Sequence, residues 1–193
     1  MAAIPLHREE IDYPTSDGQP MAETTLHRRI MTDLIQGLER RFRDEADVWV
    51  GGNLFFYFEQ GRPRSVVAPD VLLVKGVRKW DRPVYKLWEE GRVPSLVVEV
   101  TSDSTRDEDL SKKKEIYQRL GVEEYFLFDP YGDYLEPRLQ GLRLEGGRYV
   151  SMGLQPDGSL ASSTAGLLFR PEGERLRLVD PVTGPILWYE ELG

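Results

Sequence analysis

The run Leu96-Val97-Val98-Glu99-Val100 is apolar on both faces apart from one carboxylate. Such a run fits a central strand, covered on both sides. Its surroundings read as an α/β chain. A helix is expected over about Ala22 to Arg43, with Leu26, Ile30, Met31, Leu34, Ile35, Leu38 and Phe42 spaced by three and four. Strand candidates follow at Val48–Val50, Leu54–Phe58 and Asp70–Val74, the first two separated by Gly51-Gly52-Asn53. Residues 76–94 form a polar excursion carrying Trp80, Tyr85 and Trp88. A second helix is expected over about Asp107 to Leu120. Thr105 and Glu108 stand at capping-box spacing, and Gly121 supplies the stop. Glu124–Phe128 is another strand. Beyond Pro130 the pattern turns to hairpins, around Gly146-Gly147 and Glu172-Gly173.

With 193 residues the chain can bury a core without staples. The order of elements predicts an irregular arm over 1–20, broken by Pro5, Pro14, Gly18 and Pro20, and one domain over 21–193. That domain has a core at about 22–130 and a β-rich extension at 131–193. The N-terminal ten residues lack an apolar stretch of signal-peptide type, and no run approaches a membrane span, so a cytoplasmic protein is expected.

Composition removes several chemistries. There is no cysteine, which excludes disulfides, thiolate metal sites and cysteine nucleophiles. His7 and His27 are the only histidines, which argues against a multi-histidine metal site. The formal charge of −8 argues against nucleic-acid binding through bulk positive charge. A local basic groove or a metal-filled acidic site is compatible with it.

Three residues carry the chemical argument. Asp70 opens an apolar strand directly after Pro69. Glu99 interrupts a buried valine run, and strand alternation puts it on one face with Val97 and Thr101. Lys113 falls on the apolar face of the second helix, between Leu110, Tyr117 and Leu120. A buried carboxylate or lysine needs a partner. One reading is a buried ion-pair cluster without chemistry. The other is a Mg²⁺ site, since magnesium takes one or two carboxylates, keeps waters and meets a phosphate. A lysine beside the attacking water then orients it or stabilises transition-state charge.

At these residues the sequence resembles a known pattern. Pro69-Asp70 followed by Glu99-Val100-Thr101 is similar to the PD-(D/E)XK nuclease superfamily. The longer string is more specific: Glu99-Val100-Thr101-Ser102, Ser104-Thr105, Asp109, Lys113, Tyr117, Gly121-Val122, Glu124-Tyr125 and Asp129-Pro130. It resembles the Uma-two family of restriction endonucleases over roughly residues 10–185, reaching Gly52-Asn53 upstream and Gln140-Gly141 downstream. The resemblance implies a restriction-endonuclease-like core, a mixed central sheet flanked by helices, followed here by the C-terminal β-hairpin extension. It implies DNA cleavage, with Asp70, Glu99 and the Val100 carbonyl as ligands to Mg²⁺ or Mn²⁺. The superfamily's usual lysine position is occupied by Thr101, and the resemblance places that lysine on the following helix, as Lys113.

Other residues have two readings each. Glu23 and His27 share the apolar face of the first helix with Ile30 and Leu34. They either support the metal site or serve as a first-turn acid and a core-edge histidine. Asp109, one turn before Lys113, either orients it or is a helix-start acid. Tyr117 is a core tyrosine with a bonded hydroxyl or a catalytic group. Arg78 and Lys79 either contact phosphates, with Trp80 against a base or sugar, or sit in a solvated loop. Residues 61–130 hold as many Lys and Arg as Asp and Glu, so the acidic excess falls on the two ends.

The leading expectation is a Mg²⁺-dependent endonuclease hydrolysing DNA phosphodiester bonds. Restriction-type enzymes pair two sites, so a homodimer is expected, through exposed aromatics of the middle loop or the C-terminal hairpins. The alternative is a catalytically silent nuclease fold serving as a binding or interaction module.

Overall fold

The central strand predicted at Leu96–Val100 lies inside a six-stranded mixed sheet. The structure, a computed structural model, describes residues 11–18 and 23–193. The rest of the expected N-terminal arm, with Pro5, His7 and Pro20, and the predicted helix start at Ala22 lie outside the described residues.

The first helix, α1 (Thr25–Arg41), is capped by the Thr24 side chain, which accepts from the His27 N–H; Glu23, expected on this helix, therefore precedes it and is not a first-turn acid. Strand β1 (Val48–Gly51) follows. Next come β2 (Phe55–Tyr57), β3 (Val66–Val67), β4 (Val71–Lys75), β5 (Val84–Lys86) and a short α2 (Leu87–Glu90). Strand β6 is Leu96–Val100. A π-helical segment, Glu108–Lys113, runs into α3 (Lys114–Leu120), and β7 is Glu124–Phe128. The C-terminal part holds β8 (Leu139–Glu145), β9 (Arg148–Ser151), β10 (Leu160–Ser162), β11 (Leu167–Glu172), β12 (Arg175–Asp180) and β13 (Gly184–Pro185).

The main sheet has the order β1-β4-β6-β7-β8-β9, with β6 and β7 parallel and the other neighbours antiparallel. One face, with Val71, Leu73, Val98, Val100, Phe126 and Phe128, packs on Ile30, Leu34 and Leu38 of α1. The four-stranded antiparallel sheet β10-β11-β12-β13 completes that core through Leu160, Leu167, Phe169 and Leu178. The other face, with Leu72, Val97, Tyr125 and Leu127, is covered by Tyr117 and by the third sheet, β3-β2-β5. Among the described residues no helix is long and apolar enough to cross a membrane.

Several sequence expectations need correction. The strand expected over Leu54–Phe58 is shorter, Phe55–Tyr57, and pairs with β3 and, in parallel, with β5. The excursion at 76–94 is not all loop, because it contains β5 and α2. Of its three aromatics Tyr85 is fully buried and Trp88 packs on Tyr13, which leaves Trp80 as the exposed one. The capping box is also absent. The Thr105 hydroxyl accepts from the Ser102 N–H instead of serving the helix. The Gly121 stop forms as expected, in the left-handed region at φ 88°, with its N–H on the Tyr117 carbonyl.

Candidate active site

Strands β4 and β6 bring the two carboxylates together. Val71 pairs with Val98, so Asp70 and Glu99 stand one step further along the same antiparallel ladder. The Asp70 N–H donates to Glu99 Oε2 at 3.2 Å. The Val100 N–H donates to Asp70 Oδ2 at 2.7 Å. Each carboxylate is thus held by the other's strand.

The Gly52-Asn53 turn fixes Asp70 from behind. The Asn53 N–H bonds the Pro69 carbonyl at 2.9 Å. A Cβ on Gly52 would lie 2.0 Å from the Asp70 carbonyl oxygen, so only glycine permits this approach.

Lys113 enters from the π-helical segment. Its Nζ lies 3.1 Å from Glu99 Oε2 and 2.9 Å from Asp109 Oδ1. The wider i→i+5 turns rotate the face relative to a regular helix. Leu110, expected inward, is 39% exposed, while Asp109, Lys113 and Tyr117 are buried. The Tyr117 hydroxyl donates to Glu99 Oε1 at 3.0 Å, and the Tyr125 hydroxyl to the Asp109 carbonyl at 2.9 Å. Tyr117 is therefore a core tyrosine with a bonded hydroxyl, in contact with the site.

Burial pushes the Glu99 carboxyl up to about 8; Lys113 opposes this and the charges of Asp70 and Asp109 add to it. Burial also disfavours the Lys113 charge, but three surrounding carboxylates outweigh it and hold the ammonium above its ordinary value. The cluster keeps its cation and strains its carboxylates.

On the open side, His27 Nε2 lies 3.0 Å from Asp70 Oδ1. Burial lowers the affinity of His27 for a proton, yet Asp70 and Glu23 more than compensate, so its pKa is raised. Glu23, His27 and Asp70 each offer one ligand atom, all within 4.8 Å of one another. Two carboxylates and an imidazole on one rim are a donor set that fits a divalent cation. Glu99 differs from the sequence expectation in its surroundings, since both its oxygens are engaged by Tyr117, Lys113 and the Asp70 N–H.

These groups open onto a cleft of about 940 Å³ lined in part by Asp70, Val100, Thr101 and Lys113. Arg78 and Lys79 are not among its lining residues. Lys79 instead donates to the Phe42 carbonyl and, at 3.1 Å, to the Arg43 carbonyl, closing the C-terminal end of α1.

Sequence reasoning missed the Gly52 approach, the aromatic side of the cleft and Glu124. Glu124 opens its strand directly after Glu123, where a carboxylate ordinarily faces solvent, so no signal of the Glu99 kind marks it. It is 1% exposed and gathers the hydroxyls of Ser162, Ser163 and Thr164, tying β7 to the β10–β11 turn.

The Uma2 family model, described as "Putative restriction endonuclease", matches residues 2–175. Among solved structures, a "putative nuclease belonging to DUF820" from Anabaena variabilis is similar in fold. It has a TM-score of 0.54 and 14% identity, over 76% of each chain. No curated protein matches the sequence. With residues 2–175 matched, nearly its whole length, the chain belongs to the Uma2 family of restriction-endonuclease-like proteins.

Proposed function

We propose that the protein is a metal-dependent endonuclease that hydrolyses DNA phosphodiester bonds at the Asp70–Glu99–Lys113 centre. The observation that carries this reading is the convergence of Glu23, His27 and Asp70 on one rim of a cleft whose wall also presents Lys113. Asp70, with Glu23 and His27, would hold Mg²⁺ or Mn²⁺; Glu99 and the Val100 carbonyl complete the set that the family resemblance implies. A cation there supplies Lewis-acid polarisation of the phosphoryl oxygen and lowers the pKa of the attacking water.

The chain's own residues do the rest. Lys113 stays protonated among its carboxylates and donates to the attacking water or to charge developing on the phosphoryl group. Asp109, 2.9 Å from its Nζ, and the Tyr117–Glu99 bond fix its position. Thr101 stands where the superfamily places its lysine, leaving that role to Lys113. A homodimer and a cytoplasmic location belong to the same reading. A one-chain mass by light scattering at working concentration would remove the dimer.

One observation favours the silent interaction module: both Glu99 oxygens are already satisfied within the protein. Calorimetric titration with Mn²⁺ separates the two. The nuclease reading predicts binding that disappears in Asp70→Asn. A silent module binds no metal and keeps its partner affinity in that variant.

A further inference from the structure

Resting on the nuclease reading, we infer that the cleft takes a single-stranded DNA segment, with bases stacked on Tyr131 and Phe55, in preference to a continuous duplex.

Tyr131 is 58% exposed, yet its loop is built rather than slack. Asp129, fully buried, accepts from the backbone N–H groups of Tyr131, Gly132, Tyr134 and Leu135 at 2.6–3.2 Å. An exposed aromatic on a loop fixed by four such bonds is preorganised for a planar ligand. Tyr134 and Phe55 line the same cleft. Every base offers a π-face to such a platform.

The charge distribution argues against a duplex. Duplex binding relies on several Lys or Arg contacts to phosphates. Among the described residues the cations lining this cleft are Arg64, Lys113 and, when protonated, His27; Lys113 is held by Glu99 and Asp109, and Arg106 sits over the Tyr134 ring. Asp103 and Glu108 also line it, so a ligand gains little from phosphate contacts here and must gain from stacking, which unpaired bases offer. Thr101 adds a donor suited to one strand: it is 3% exposed, and its hydroxyl, with no partner, belongs to a residue of the cleft wall.

The entrance is bounded on a third side. Tyr57 donates to the Pro14 carbonyl, and Tyr13 accepts from the Gly61 N–H at 2.7 Å while packing on Tyr57 and Trp88. These contacts fasten residues 13–14 beside the aromatic wall.

Fluorescence anisotropy in EDTA tests this, with a labelled 12-nucleotide single strand and the same sequence as a duplex. The single strand is expected to bind at least about tenfold more tightly. Tyr131→Ala should weaken it about tenfold, the loss of one stacked base. Its thermal unfolding should match that of the wild type, because the side chain is exposed. Equal or tighter duplex binding, or no effect of Tyr131→Ala, overturns the inference. Adding Mn²⁺ separates it from the nuclease reading. Preferential cutting of the duplex leaves the nuclease and removes this inference. Single-strand binding without cutting leaves this inference and removes the nuclease. Binding of neither DNA removes both.

Discussion

Glu124→Gln offers a sharp test of how the C-terminal sheet is held. Oε1 accepts from the Ser163 N–H at 3.0 Å, the Ser163 hydroxyl at 2.8 Å and Arg143 Nη2 at 3.4 Å. Oε2 accepts from the Ser162 and Thr164 hydroxyls at 2.6 and 2.7 Å, and from the Thr164 N–H at 3.4 Å. Hydroxyls can turn to accept from a carboxamide, but the backbone N–H groups cannot. The amide nitrogen of Gln must therefore sit on the Oε2 side, facing the longer Thr164 contact. Charge-assisted bonds are roughly twice as strong as neutral ones, and a neutral bond contributes about 1 kcal/mol net. Losing that assistance on three short bonds predicts a cost of about 2–3 kcal/mol. Glu124→Ala strands two N–H groups as well and should cost about 4–5 kcal/mol.

The pH dependence follows with a definite sign. Burial raises the Glu124 pKa, but the Ser162, Thr164 and Ser163 bonds prevail and lower it from 4.5. A depressed folded-state pKa contributes stability above the unfolded value, and that contribution is lost as pH falls through the folded value. The gap between wild type and Glu124→Gln should be full at pH 7 and shrink below about pH 4. Urea unfolding at several pH values measures it. A gap under about 1 kcal/mol at pH 7, or one independent of pH, refutes the latch.

Three further outcomes are expected. Gly52→Ala forces the Asp70 backbone away, so its Mn²⁺ affinity should fall more than about tenfold, with a stability loss of about 1–3 kcal/mol; an unchanged calorimetric titration would contradict the positioning argument. Lys113→Met leaves Glu99 and Asp109 buried without their cation, and should cost about 3–5 kcal/mol in urea unfolding at pH 7; a cost under 1 kcal/mol would mean that the cluster is more open than its burial indicates. Lys79→Ala uncaps α1 at a cost of about 1 kcal/mol and should leave oligonucleotide affinity unchanged, whereas weakened binding would return Lys79 to the phosphate role.

The sequence was most legible where a pattern was long or punctuated. Strands β6 and β7 were read to the residue, because continuous apolar runs leave no choice of face. The Gly121 stop and the Gly146-Gly147 hairpin were read from glycines whose positive φ the turns require. Strands β3 and β5 span two and three residues and exist through their partners in the third sheet, so no local signal marks them. At the site, Asp70 stood out as the acid after Pro69 at a strand start, Glu99 as the break in a valine run, and Lys113 by helical face periodicity. The π-helical turns then swapped Leu110 for Asp109 on the inward face, a phase change that 100° spacing cannot anticipate. The Gly52–Asp70 approach brings the β1–β2 and β3–β4 connections together and is visible only in three dimensions.

The central claim is a metal-dependent cut made at Asp70 with the help of Lys113. The direct measurement is incubation of the pure protein with circular single-stranded DNA and with supercoiled plasmid, in Mg²⁺, Mn²⁺ or EDTA, beside Asp70→Asn and Lys113→Ala. Cleavage by the wild type in metal, absent in EDTA and in both variants while Asp70→Asn still unfolds cooperatively, is the predicted result. Cleavage that persists in EDTA or in Asp70→Asn would contradict the account, as would intact DNA under every condition together with no Mn²⁺ binding.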